Sequence, residues 1–411
     1  MAPPPTVILD NGAHTMKIGI SSFDTLPRLV SNAIIRGKND KRLYVADEFD
    51  DCKDFSSLFY RLPFERGLLV NWDIERTVWD RVFKHVIRLE PKESRLLVTE
   101  PCFNLPKIQD NYDQIIFEDY QFQACYRTIA PELCLFNEVG GLFGDKLGSV
   151  PDCTLIVDSG YSFTHIIPFY KGQAIAQGIR RLNVGGKLLT NQLKETVSFR
   201  AYDMMEETHI INEAKEKCCF VSMDVYKDLE ICKKPFRQNS VIQEYVLPDF
   251  IHTTAGQIRH PSSNENQRQQ SKDQQILMMN NERFMIPEIL MRPSDIGIDQ
   301  AGIPEAIVQS VSATDSSMHG LFYANIILVG GNANFPGYKE RIEQDLRQLV
   351  PSEYDIRIVV PIDPVTYAWE GGDRFISQSS KSELSRTFVS RKEYLEYGSE
   401  ICRKKFGSIM I

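Results

Sequence analysis

Val7-Ile8-Leu9-Asp10-Asn11-Gly12 and, later in the chain, Leu155-Ile156-Val157-Asp158-Ser159-Gly160 are written on one plan. Each is an apolar run ending in Asp-x-Gly. Lys17 stands seven positions after Asp10 and His165 seven after Asp158, and apolar residues resume beyond both (Ile18; Ile166 and Ile167). A turn holding an Asp and a Gly between two apolar runs predicts a β-hairpin. One such hairpin is an ordinary turn. Two with matched spacing predict a duplicated domain whose equivalent loops face each other across a cleft.

A third segment fits that cleft. Asn325-Ile326-Ile327-Leu328-Val329 reads as a buried strand running into Gly330-Gly331, and Pro336-Gly337 precedes a helical stretch from Tyr338 to about Leu349. Glycines after a strand let backbone approach a ligand, and a following helix offers free N–H groups. Gly185-Gly186-Lys187 opens a second helix, from Leu188 to about Val197. Val78, Trp79, Val82, Phe83, Val86 and Ile87 form a stripe at helical spacing, with Asn71 or Asp73 as N-cap. Arg95 to Glu100 reads as a buried strand stopped by Pro101. Alternating strands and helices predict an α/β architecture. His252 to Gln275, polar and nearly free of large apolar residues, predicts a surface loop or disordered insert.

Composition narrows the class. The 411 residues suit two or three domains; 42% are hydrophobic and 25% charged, as in a soluble globular protein. Apolar runs are too short to cross a bilayer, and Met1 to Thr6, with three prolines, lacks a signal-peptide pattern. Nine scattered cysteines without metal-ligand spacing point to a reducing compartment, with the Cys218–Cys219 pair read as structural. A net charge of −8 argues against free-standing nucleic-acid binding. Lys38–Lys41–Arg42 and Arg403–Lys404–Lys405 read as solvated surface rather than localisation signals.

In order along the chain, Asp10-Asn11-Gly12, Asp158-Ser159-Gly160 and Gly330-Gly331 resemble the two phosphate loops and the adenosine motif of the actin family. The resemblance covers nearly the whole chain. It includes Asn71-Trp72-Asp73, Thr99-Glu100-Pro101, Lys215-Glu216-Lys217, Asn281-Glu282-Arg283-Phe284, Pro287-Glu288 and Ser390-Arg391-Lys392-Glu393-Tyr394. Within the family, Gly67 to Asp73, Val157 to His165, Asn183 to Asn191, Pro293 to Ile298 and Thr366 to Gly372 look like the sixth class of actin-related proteins.

The resemblance implies an actin-like ATPase fold: two duplicated ribonuclease-H-like lobes around a nucleotide cleft. Residues 1–148 with 366–411 would form the first lobe, 31–63 being its small subdomain. Residues 149–365 would form the second, 185–298 being its small subdomain with a polar insert at 252–275. Asp10, Asn11, Gly12, Lys17, Asp158, Ser159 and Gly160 match positions around the phosphates, and Gly186, Lys215, Glu216, Gly330, Gly331 and Phe335 match the adenosine side. No residue is assigned as a metal ligand.

Departures from the family pattern shape the expected function. Ala13 and His14 stand where the first loop has small residues, and Tyr161-Ser162 replaces an Asp-Gly pair in the second, setting a ring at the γ-phosphate end. Val365 replaces a lysine on the adenine rim, and Phe335 a tyrosine. Ala130 holds the place of the glutamine that orients the attacking water, and a methyl group cannot orient a water. Glu132, Gln121 and Gln123 could reach that place only if a helix moved. The loop Gly37 to Ala46 is shorter than the long loop that grips the next subunit in a filament.

The implied protein is therefore a non-catalytic structural subunit. Its class is nuclear and belongs to Swr/SRCAP-type remodellers that exchange a variant histone into nucleosomes. The expected partners are a remodelling ATPase, a zinc-finger HIT-type subunit and, through the complex, the nucleosome's histones and DNA. ATP or ADP is a candidate structural ligand that is not hydrolysed. The expected location is the nucleus, with the cytoplasm as a second compartment; neither membrane nor filament is expected. The alternatives are a slow ATPase or nucleotide-gated switch, and a filament-forming cytoskeletal relative.

Overall fold

Both hairpins form. Thr6–Asn11 pairs antiparallel with Thr15–Ile20, setting Asp10 opposite Lys17, and Cys153–Ser159 pairs with Thr164–Tyr170, setting Asp158 opposite His165. The computed structural model describes residues 4–21, 26–38, 41–144, 151–259 and 274–407. Two strands lie parallel to the leading strand of each hairpin. In the first sheet they are Arg95–Glu100 and Ala124–Ile129; in the second, Ile326–Val329 and Ile358–Val359. A further antiparallel strand extends the outer side of each hairpin, Arg28–Ser31 in one sheet and Gln173–Ala174 in the other. The duplication read from two turns is thus a duplication of sheet order.

Each leading strand is central in its sheet, which explains its near-continuous apolar run: both faces are covered. Thr6–Asn11 is buried throughout. The sheets organise separate large cores, one around Ile8, Leu97, Trp79 and Trp369, the other around Leu155, Leu328, Leu189 and Ile342. The chain returns to the first sheet at its C-terminal end. The Trp369 indole donates to the Ile8 carbonyl (3.0 Å), and Val389–Ser390 pairs with Ala124–Ile129 at that sheet's edge. The expected lobe boundary at 148–149 lies outside the described residues.

Local signals act as anticipated. The Asn71 side chain, not that of Asp73, caps helix Trp72–Arg81 by accepting from the Ile74 N–H (3.2 Å). Helix Tyr338–Leu349 follows Gly337, and strand Arg95–Glu100 stops before Pro101. All nine cysteines are free; Cys218 and Cys219 are both buried.

Two three-stranded sheets and a two-stranded pair, Phe64–Glu65 with Leu68–Leu69, accompany the large sheets. Ile34–Arg36 pairs with Leu43–Val45 and Phe59–Arg61, and Gln243–Val246 pairs with Gln257–Arg259 and Ile276–Met279. The first hairpin here pairs Arg36 with Leu43, so residues 43–45 of the segment expected to be a short loop belong to a strand; Asn39 and Asp40 lie outside the described residues. The loop expected over 252–275 needs a correction. Gln257–Arg259 is a strand, secured by backbone pairing and an Arg259–Glu244 ion pair (2.7 Å). Backbone pairing carries no apolar pattern, so composition could not announce it. Residues 260–273 of that stretch lie outside the described residues.

Candidate functional site

The hairpin turns meet at the bottom of a cleft with a cavity of about 870 Å3. Strand alternation decides which side chains face it. Asp10 points to the cleft floor, where Lys17 approaches it at 3.1 Å and the Thr99 hydroxyl donates to it at 2.8 Å. Asp158 faces the same floor from the other lobe. Burial, then the charge of Asp10, push its carboxyl up to about 6 against the pull of Lys17. The floor thus holds two carboxylates and one ammonium, a set that would orient the hydration shell of a cation accompanying a polyphosphate. Among the described residues no cluster of three metal-ligating side chains exists.

The residue after each aspartate turns the other way. The Asn11 amide donates to Glu75 (2.7 Å) and to the Tyr112 hydroxyl (3.1 Å), and its backbone N–H donates to Thr99 (2.9 Å). Asn11 borders the cavity, but its side chain anchors the turn from inside the lobe. Ser159 is fully buried and not on the cavity wall. Its hydroxyl shares a hydrogen bond with Thr164 (2.8 Å) and accepts from Asn332 (3.0 Å). Ser159 is therefore corrected from a cleft contact to an anchor of the second turn, because alternation along the strand carries it away from the side Asp158 faces. The other residues read as candidates, Gly12, Gly160, Gly186, Lys215, Glu216, Gly330, Gly331 and Phe335, do border the cavity.

At the adenosine side two glycines do different things. Gly330 has φ +88°, and a Cβ there would stand 2.4 Å from the Ser159 carbonyl oxygen, so the fold itself requires glycine. A Cβ on Gly331 would meet nothing within 4 Å: this position leaves open space. Lys215 is buried, its ammonium donating to Thr190 (2.9 Å), Asn212 (2.9 Å) and the Gly186 carbonyl (3.3 Å), all uncharged oxygens. Burial lowers its basicity, partly opposed by Glu216. A buried cation beside open space suits an anionic ligand, so the residues at this end fit a nucleoside phosphate. Val365 and Phe335 complete the rim.

The space between the hairpin tips is filled. The His14 and Tyr161 rings, one from each hairpin tip, stack with centroids 4.5 Å apart and planes 15° apart. Burial first, then the charges of Lys215, His209 and Lys17, push the His14 imidazole down to about 4, so it is neutral at pH 7. Such a pair is worth about 0.5–1.5 kcal/mol beyond the area it buries. Each substitution was visible in the sequence; their mutual contact was not.

Ala130 starts the short helix Ala130–Cys134 on the cavity wall beside Pro131 and Cys134. Glu132 faces away, taken up by Thr128 and Tyr126, and neither Gln121 nor Gln123 borders the cavity. His165 does border it. Burial pushes its imidazole down to about 4, and its Nε2 has no hydrogen-bond partner.

Higher up, the two lobes touch across the opening. The Ser57 N–H and hydroxyl both donate to Glu207 (2.9 Å each), and Lys38 pairs with Glu206 (3.0 Å). Phe55 stacks on His209 with centroids 4.4 Å apart. Ser57 holds φ 45°, a left-handed backbone that the Glu207 contact helps to fix. Lys38, read as solvated surface, is indeed largely exposed in its pair; the other residues carry no motif, which is why sequence reasoning passed over them.

Comparison with known proteins agrees with this geometry. The actin family model matches residues 1–407. Actin-like protein ARP6 of Cryptococcus neoformans is 44% identical, the match covering 99% of this chain and 86% of the relative. Actin-related protein 6 of Drosophila melanogaster is 40% identical over 95% of this chain and 97% of the relative. Actin-related protein 6 of rice, Oryza sativa subsp. indica, is 34% identical over 97% and 98%. A family match along nearly the entire chain, relatives of one class in fungi, insects and plants, and a duplicated two-sheet fold around a cleft lead to one assignment: the chain belongs to the actin family, in its sixth class of actin-related proteins.

Proposed function

We propose that this actin-related protein is a non-catalytic structural subunit of a nuclear chromatin-remodelling complex that exchanges a variant histone into nucleosomes. The observation that carries the non-catalytic part is Ala130. Hydrolysis needs a side chain to hold the attacking water in line, and this wall offers a methyl group, a proline ring and a thiol. The chromatin part is supported by the class-specific segments around Gly67, Val157 and Pro293. In this reading the partners are the remodelling ATPase, a zinc-finger HIT-type subunit and the nucleosome, and the working compartment is the nucleus.

The cleft's role is then to hold the lobes in one arrangement, with ADP or ATP as a ligand that is kept rather than turned over. Gly330, Gly331, Lys215, Glu216 and Phe335 would hold its nucleoside side, with Asp10, Lys17 and Asp158 at the phosphate end.

Two measurements test the reading. Affinity capture of the tagged chain from nuclear extract is expected to recover remodelling-ATPase and zinc-finger subunits; their absence would count heavily against it. Chromatography of small molecules released on denaturation is expected to give a nucleotide in stoichiometric amount. A second reading, a slow ATPase or nucleotide-gated switch, draws on His165, which borders the cavity and whose buried Nε2 has no hydrogen-bond partner. It requires magnesium-dependent phosphate release that disappears in Asp158→Ala.

A further inference from the structure

The cleft is open beside Gly331 and filled between the two hairpin tips. Gly331 leaves space where a Cβ would find no neighbour within 4 Å. At the hairpin tips, His14 and Tyr161 lie face to face from opposite lobes, with no gap for a ligand group between rings at 4.5 Å. The stack sits among the cleft's cations: Lys215 and Lys17 both act electrostatically on His14. A chain of phosphates would settle in that same neighbourhood, drawn by those charges.

A second observation concerns the helix Gly186–Arg200, whose N-terminus faces the second hairpin. The first N–H groups of a helix are where an anion binds. Here the Gly186 N–H donates to the Gly160 carbonyl (3.0 Å) and the Lys187 N–H to the Tyr161 carbonyl (2.9 Å). The hairpin tip bearing Tyr161 has therefore taken these donors for itself. The ring fills the space and its own backbone occupies the anion-binding groups.

We propose that the His14–Tyr161 pair is a built-in plug that sets the length of phosphate chain the cleft accepts, admitting a nucleoside diphosphate and excluding the third phosphate of a triphosphate. This rests on the nucleotide-binding reading above and sharpens it: the ligand kept in the cleft is the diphosphate form, selected by shape rather than produced by hydrolysis. His14 and Tyr161 act here as specificity-determining residues.

The experiment is equilibrium binding of the full-length chain to ADP and to a non-hydrolysable ATP analogue, by calorimetry, for wild type, Tyr161→Ala and His14→Ala. Thermal melts confirm that each variant is folded. Wild type is expected to bind ADP at least about tenfold tighter than the analogue, a ratio worth about 1.4 kcal/mol. Each variant should narrow that ratio by tightening the analogue alone. Two folded variants are used so that one misfolding does not remove the test. Equal affinities in wild type, or an unchanged ratio in folded variants, would overturn the plug and leave nucleotide binding standing. Binding of neither ligand by wild type and variants alike would overturn both the plug and the nucleotide reading.

Discussion

Glu75 shows how much a single buried carboxyl can shape this protein's response to pH. It sits fully buried beneath the first hairpin, bonded to the Asn11 amide through one oxygen while the other has no partner. Burial pushes its carboxyl from the usual 4.5 up to about 7. The folded state then binds a proton that the unfolded state has lost, so the stability tied to Glu75 falls as pH rises from 4.5 through 7. His14 and His165 have the opposite sign. Held down to about 4 from 6.5, they bind fewer protons folded than unfolded, and their stability contribution is lost as pH falls from 6.5 towards 4. Glu75→Gln separates the two. At about 1.4 kcal/mol per pH unit, its stability relative to wild type should rise by roughly 3 kcal/mol between pH 4.5 and pH 8. Urea melts at several pH values check this, and a flat difference would show that Glu75 titrates normally.

At the scale of elements, buried ion pairs fasten one helix to another. Glu288, at the end of helix Glu282–Glu288, accepts two hydrogen bonds from Arg341 on helix Tyr338–Leu349 (2.8 and 2.9 Å), and the same guanidinium reaches the Ser222 carbonyl (2.6 Å). Removing Glu288 leaves the buried guanidinium, among the described residues, only Asp345, at 2.9 Å on its own helix, as a carboxylate partner. Glu288→Ala is expected to cost about 3–5 kcal/mol in chemical denaturation, and a Glu288→Ala/Arg341→Met double variant less than the single one. The short helix beginning at Ala130 carries a functional expectation. Ala130→Gln restores an amide to the cleft wall, yet phosphate release should stay at background, because His14 and Tyr161 still fill the space where the terminal phosphate would be cleaved. A sensitive phosphate-release assay decides it; turnover in this variant would overturn the His14–Tyr161 plug and leave Ala130 as what the wild-type cleft lacks for hydrolysis.

For the whole molecule, the contacts across the opening matter most. Ser57–Glu207 and Phe55–His209 join the segment before strand Phe59–Arg61 to the start of helix Thr208–Cys218 in the other lobe, so the cleft can be held shut by the chain's own side chains. A hydrogen bond to a charged group contributes about 1.5–3 kcal/mol, enough to shift an open–closed balance by tenfold or more. Glu207→Ala with Phe55→Ala should therefore enlarge the radius of gyration in solution scattering. It should also speed amide exchange near Ser57 and Glu207 while leaving exchange in the two large sheets unchanged. No change in either measurement would mean that the lobes are held by the lower contacts alone.

The fold and much of the cleft were legible in short stretches of the chain. Hairpins around Asp10 and Asp158, the Gly330 turn and the Asn71 cap are local features, specified by turn geometry, strand alternation and helix-end hydrogen bonding within a few residues. Ala130 shows as a loss only against the pattern of the actin family that the sequence resembles. Only the tertiary structure decided that Ser159 and the Asn11 amide anchor the turns from inside the lobes, that residues 257–259 pair as a strand, and that His14 meets Tyr161. Those outcomes join residues far apart in the chain, such as Asn332 with Ser159 or Ser57 with Glu207. They depend on how two lobes are set against each other, a relation for which no short stretch of sequence carries a periodic or compositional mark.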